Sequence, residues 1–240
     1  MIHIGDTYLK HTLQSLLITS VLTLPSVMGA NELTAAEQTV LSSGHSNQIK
    51  FDDAIKILLD SSKSAIGDVK SRLLEFTDKQ RLILETLIDP NSSAWDLYES
   101  AGSLIDDYHM EASVTASVVE RAANHPEAPI AVILYAADDL GKLGKLYEIN
   151  AVNLFEKAAN HTEASCGDIY IASLGLLKIN RSLYRGRVAD LYEKAANHPE
   201  ALGEFIVELA DSLSSFGEAY SDRAEALRNL GQEQKKQQNP

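Results

Sequence analysis

Three features of this 240-residue sequence predict an all-α fold, a stack of antiparallel helix pairs (an α-solenoid). The first is self-similarity. VVERAANHPEA (118–128), LFEKAANHTEA (154–164) and LYEKAANHPEA (191–201) set Glu120, Glu156 and Glu193 at intervals of 36 and 37 residues, and LETLIDPNSSAW puts Pro90 36 residues before Pro126. That interval is the size of a two-helix unit. The second is helical apolar periodicity that keeps one phase from unit to unit. The third is composition: 45% hydrophobic residues supply a core, while 13 Gly and 6 Pro are too few for a collagenous or Pro-rich chain.

Residues 1–30 read as a secretory signal peptide. Lys10 and His11 precede Leu13–Leu24, where Leu, Ile and Val fill seven of twelve positions, and Pro25 and the run Val27-Met28-Gly29-Ala30 follow. A basic flank, a short apolar stretch and small residues form the layout of an export signal. The stretch is too short and too rich in Thr, Ser and Gln for a comfortable bilayer span. The expected location is secreted or periplasmic; an ordinary amphipathic helix here would instead mean a cytoplasmic protein. Removing the segment deletes Asp6 and Lys10, so the net charge stays at −13, and no stable membrane span is expected afterwards. Residues 31–50 are polar, a linker or loose helix. Residues 51–90 are apolar-periodic, clearest in FDDAIKILLD and SRLLEFTDKQRLILETLI, and predict N-terminal helices that form a degenerate repeat or a cap.

Residues 91–230 carry the repeats. Counted from Pro90, Pro126, Thr162 and Pro199, the seventh residue is Leu97, Ile133, Ile169 or Ile206. The eleventh is Ala101, Ala137, Ser173 or Ala210, and the fourteenth is Leu104, Leu140, Leu176 or Leu213. These offsets share one face of a 3.6-period helix, and the small position lets a neighbouring helix come close. Counting back gives the second helix: Thr115, Ala151 and Val188, then Val119, Phe155 and Tyr192, then Ala122, Ala158 and Ala195. Asn-His-Pro ends it, because Asn tolerates a left-handed closing conformation and Pro cannot continue the ladder. SFGEAYSDRAEALRNL supplies a last, more polar helix suited to capping the stack, and residues 231–240 read as a solvated, disordered tail.

This pattern resembles the tetratricopeptide repeat and its longer Sel-type relatives. Leu97-Ser100-Ala101-Leu104 and Val188-Tyr192-Ala195-Pro199 stand where that family carries its bulky and small residues, and DPNSSAW (89–95) is close to its junction. The units here are longer than the family's roughly thirty-four residues, and Thr162 stands in one proline position. The resemblance implies a right-handed superhelical stack of antiparallel helix pairs with a concave face, lined by the first helices, that grips peptides or partner helices. The matching positions are Trp95, Tyr98 and Asp106 in the first unit, and Leu134, Asp138 and Lys142 in the second. Tyr170 and Lys178 follow in the third, and Glu204, Val207 and Asp211 in the fourth. Flat rings among charges suit a protein surface. The expected function is a non-enzymatic protein–protein interaction module; the alternative is a helical hydrolase or small-molecule binder with a pocket where residues 51–90 meet the repeats.

Other chemistries lack their motifs. Thirty-four acidic against 21 basic residues argue against non-specific nucleic-acid binding, which rests on Lys and Arg neutralising phosphates. A single cysteine, Cys166, excludes an intramolecular disulfide and any multi-cysteine zinc site. His125, His161 and His198 recur in matching settings, but stacked units hold them about 10 Å apart, too far for one ion, so they read as part of the helix-ending motif. GKLGK (141–145) lacks the phosphate-loop spacing and reads as a turn within a unit. Asp52-Asp53, Asp106-Asp107 and Asp138-Asp139 are neighbours on helices and face different ways. No catalytic, cofactor-binding or metal-ligating residue is nominated.

Overall fold

The computed structural model describes residues 48, 50–59 and 63–238. The export signal expected over 1–30 and most of the linker expected over 31–50 lie outside them. Among the described residues every regular element is helical. Helix α1 covers 50–59, followed by α2 (Lys63–Ser71) and α3 (Asp78–Ile88). Four pairs follow: α4 (Ala94–Asp106) with α5 (Ala112–Ala123), and α6 (Ile130–Lys142) with α7 (Glu148–Ala159). The third pair is the two arms of α8 (Cys166–Ala196), which bends at Asn180, and the fourth is α9 (Gly203–Ser214) with α10 (Ser221–Gln238).

Each pair packs on itself and on the next. α4 contacts α5, α6 contacts α7 and α9 contacts α10; α5 then meets α6, and α7 meets α8. First helices also touch in succession, α4 with α6, α6 with α8 and α8 with α9. All twelve first-helix positions named from periodicity are buried, from Leu97 to Leu213, and so are all nine second-helix positions. Shared sequence phase therefore becomes shared burial. Gly175 belongs to the same packing: a Cβ there would lie 2.2 Å from the Phe155 ring.

The loops repeat in atomic detail. In His125-Pro126-Glu127-Ala128 the Ala128 N–H donates to the His125 carbonyl (3.0 Å), and the Glu127 N–H donates to His125 Nδ1 (3.1 Å). The corresponding bonds are 3.1 and 3.2 Å at His161, and 2.9 and 3.2 Å at His198. The imidazole thus closes its own turn, as an Asn or Asp side chain does in an Asx-turn. Thr162 holds the same geometry as the two prolines. The asparagines do not take the expected left-handed conformation: Asn124, Asn160 and Asn197 have φ −95°, −100° and −86°.

Their side chains explain their recurrence. Lys157 Nζ donates to the Ala123 carbonyl (2.7 Å) and to Asn124 Oδ1 (3.1 Å), and Lys194 does the same to Ala159 (2.8 Å) and Asn160 (2.6 Å). Arg121 reaches the Leu87 carbonyl at 2.7 Å. In the first three units the second helix therefore caps the end of a helix before it, a favourable place for a cation. The preceding glutamate reaches forward instead. Glu120 accepts from Asn150, Glu156 from Arg187 (2.7 Å) and Glu193 from Arg223 (2.5 Å). The Glu-Lys dipeptide is a two-way latch.

Turns inside the units fall eighteen or nineteen residues after the Pro/Thr position. Gly144 and Gly217 have φ of +110° and +109°, with ψ near 180°, a region reserved for glycine. The third unit has Asn180 at this place. Its φ is −157°, and its Oδ1 accepts from the Leu183 N–H (3.1 Å), so it caps the second arm of α8 and the loop shrinks to a bend.

At the N-terminal end Phe51 is fully buried between Phe76 (6.1 Å) and Tyr108 (4.9 Å), and Lys56 pairs with Glu111 at 3.0 Å. These helices close the first unit. At the other end the predicted tail is not a coil: α10 continues to Gln238. Gly231 lies so close to Gly203 that a Cβ on it would stand 2.8 Å from the Gly203 carbonyl oxygen. That approach docks the end of α10, and its Gln and Lys residues are good helix formers.

Three substitutions probe this packing by denaturant unfolding. Gly175→Ala drives a methyl into the Phe155 ring and should cost about 1–3 kcal/mol. Thr115→Val replaces a fully buried hydroxyl that has no partner; it should be neutral or stabilising by about 1 kcal/mol. Lys157→Met, which uncaps Ala123 at an exposed site, should cost about 0.5–1 kcal/mol.

Candidate functional site

Along the first helices one line of contacts runs from the first unit to the fourth. It begins with Trp95 and Tyr98, one turn apart on α4 with rings 6.2 Å apart, edge to face. Tyr135 of α6 lies 6.2 Å from Trp95 and stacks on Tyr98 at 6.0 Å. The Tyr98 hydroxyl donates to Asp139 Oδ2 (2.7 Å), on the turn after Tyr135. Lys142 donates to both Asp138 and Asp139 at 2.8 Å, and Lys178 of α8 donates to the remaining oxygen of Asp138 at 2.6 Å. Lys178 then borders a cleft of about 360 Å³ walled by Tyr170, Leu174, Leu177, Tyr192 and Phe216, with Arg181 and Ser215 at its rim.

Burial and partners fix the charge state of this network. Burial, and then the hydrogen bond to Asp139, push the Tyr98 phenol up, so it stays a donor. Burial pushes Asp138 up, but the hydrogen bonds from Lys142 and Lys178 outweigh it and hold the carboxyl below the usual range. Burial pulls Lys142 down, and the bonds to Asp138 and Asp139 outweigh that and hold its ammonium above its ordinary value. Each group thus keeps the protonation state it has in water near neutrality. The network holds protons and leaves the rings beside it as the contact surface: Trp95 is 41% exposed and Tyr135 44%.

Of the residues nominated from sequence, Trp95, Tyr98, Asp138, Lys142 and Lys178 come together in this line. Tyr170 joins through the cleft, half-buried between Tyr192 (5.9 Å) and Phe205 (5.5 Å). Asp106 is exposed at the end of α4, away from these contacts. Leu134 is 6% exposed and belongs to the core; its neighbour Tyr135 takes the surface place. The fourth-unit residues face α10: Asp211 pairs with Arg228 (2.8 Å), Glu204 lies 3.9 Å from Lys235, and Val207 packs where Gly231 approaches.

Sequence reasoning missed Tyr135, Asp139, Ile171, Leu174 and Arg181. Ile171 and Leu174 are 51% and 41% exposed on α8. A signal existed for Tyr135. Leu134 and Tyr135 are consecutive and face different ways, and the residue with a polar tip is the one that tolerates solvent.

Where residues 51–90 meet the repeats, buried rings fill the interior. The nearby Asp52 carboxyl is pushed up by burial, against a 2.7 Å hydrogen bond from Gln48 and the charge of Lys56. No helix among the described residues is long and apolar enough to cross a membrane. Comparison of the chain with family models, with curated proteins and with solved structures finds no match.

The Asp138 bridge has a defined pH signature. Its folded pKa lies below the unfolded value of about 3.9, so its contribution to stability is complete above that value and lost as pH falls through the folded one. Carboxyl-carbon NMR should show Asp138 titrating below an ordinary aspartate, and Lys178→Met should move it upward. An unchanged titration would mean that the bridge between units does not form in solution.

Proposed function

We infer that the chain is a tetratricopeptide-like or Sel-type helical repeat protein, a right-handed superhelical stack whose first helices line a concave face that binds a protein or peptide. The single observation that carries this reading is the continuous strip from Trp95 to the cleft at Phe216. It crosses several units, exposes rings and aliphatic side chains, and pairs Asp138 and Asp139 with Lys142 and Lys178. Large flat rings beside satisfied polar groups are what a protein partner can bury at little desolvation cost. The repeats themselves support the family reading through their bulky-small-bulky spacing and buried alanines. Residues 1–30 add an export signal to it, which makes the protein secreted or periplasmic. The small-molecule alternative has Asp52 as its strongest support, and the groups around that carboxyl are Gln48, Asp53, Lys56 and Glu111, a charged surface cluster.

A random-peptide display selection against the full chain tests the binding reading. Enriched peptides should bind Trp95→Ala/Tyr135→Ala about tenfold or more weakly, the loss expected for truncated aromatic anchors, while circular dichroism and melting stay as in the wild type. Peptides that bind both proteins equally, or no enrichment, would sink it.

A further inference from the structure

Most cations on this surface already have an acid or a carbonyl. Lys142 and Lys178 share Asp138, Arg187 holds Glu156, Arg223 holds Glu193, Arg228 holds Asp211, and Lys157 and Lys194 cap helices. Arg181 differs. It is exposed at the rim of the cleft between α8 and α9, its Nη2 donates to Ser215 Oγ at 3.2 Å, and its guanidinium lies 6.0 Å from the Phe216 ring centroid. Neither partner is an acid, in a chain that carries 34 of them. One turn on, Arg185 donates to the Phe216 carbonyl (3.3 Å), and its Nε is buried without a partner. Neither arginine at Phe216 has an acid partner, and Arg181 has not even a carbonyl.

The cleft beside it is apolar. Tyr170, Leu177, Tyr192 and Phe216 wall about 360 Å³, near the lower bound of about 300 Å³ for ligand pockets. That is room for one large side chain and its flank. The guanidinium is steadied by the ring and by Ser215, and its planar fork matches a carboxylate with two parallel hydrogen bonds. The chain's charge of −13 repels a uniformly acidic segment, so an isolated acid next to an apolar group is what this place favours.

We propose that this cleft is the specificity subsite of the partner surface: a large apolar side chain of a peptide segment enters between Tyr170, Leu177 and Phe216, and a side-chain carboxylate of the same segment sits on Arg181. This rests on the reading that the first-helix strip binds a protein segment. The occupant is an internal Asp or Glu within about one helical turn of the apolar residue.

An array of short peptides, each acetylated and amidated so that only side chains carry acid, tests it with the full chain as probe. Bound peptides should pair Asp or Glu with a nearby Phe, Leu, Ile or Met, and replacing that acid by its amide should weaken binding about tenfold. Arg181→Gln should abolish the preference for acid, and Arg181→Lys should restore part of it, with melting temperatures unchanged because Arg181 is exposed. Bound peptides with no acid preference, still lost on Trp95→Ala/Tyr135→Ala, would overturn the subsite and leave the strip standing. A second array of the same sequences with free C-termini supplies the control: binding that needs the free chain end, with no effect of the side-chain acid, would overturn the subsite by assigning Arg181 to a chain end. A complete lack of bound peptides would overturn both.

Discussion

The paired alanines that end the second helices of the first three units set the distance at which the units stack. Ala122-Ala123, Ala158-Ala159 and Ala195-Ala196 are all fully buried. A methyl group is the largest side chain these places carry, so adjacent second helices come close enough for side chains to cross between them. The latch depends on that closeness. A lysine has the reach to cap the Ala123 or Ala159 carbonyl only because the next backbone is near. A glutamate one residue earlier then points to the following unit. Apolar packing sets the spacing and the charges fix the register, which explains why alanine, lysine and glutamate recur together.

Each unit alone would leave an apolar stripe in water, and the ends of the array must resolve this in another way. At the N-terminal side, Phe51 enters between Phe76 and Tyr108 and takes the place of a preceding unit's stripe. At the C-terminal side, Leu230 and Gly231 stand where Glu193 and Lys194 stand one unit earlier. The forward latch is thus gone. The glycine instead brings α10 against Gly203, and Asn197, with no lysine to hold, donates to its own Glu193 carbonyl at 2.7 Å. The same residue type therefore does different work according to whether a neighbour supplies a cation.

How much of this the sequence discloses follows from which interactions are periodic. Burial of the stripe is periodic, so Leu97, Ala101, Leu104 and their counterparts were legible from spacing alone. The ends of helices are periodic too, although Asn124 and Asn160 serve as acceptors for lysine and not as left-handed caps, a role that needs the neighbouring unit in place to be seen. Surface positions follow a weaker rule. Tyr98, Asp138, Lys142 and Lys178 fell in the strip because their register is copied from unit to unit. Leu134 did not, since a purely aliphatic side chain beside Tyr135 gains more from the core. Asp211 and Glu204 obeyed the register and still face α10, because Arg228 stands where the previous unit has Leu191 and Lys235 lies in the last turn, which the earlier second helices lack.

Charge accounting connects the scaffold to the candidate surface. With 34 acidic against 21 basic residues, carboxylates outnumber cations, and the latches and the Asp138 bridge take many of the cations. Arg181 and Arg185 follow Asn180, where the loop has shrunk to a bend. In the second and fourth units a glycine turn separates the two helices at that point; here the second arm starts at once. Its first turns therefore lie directly behind α9, and both arginines meet the Ser215-Phe216 backbone and hydroxyl before they meet any acid. A single change, glycine to asparagine at one turn, thus accounts for the one part of the strip where positive charge is left open to a partner.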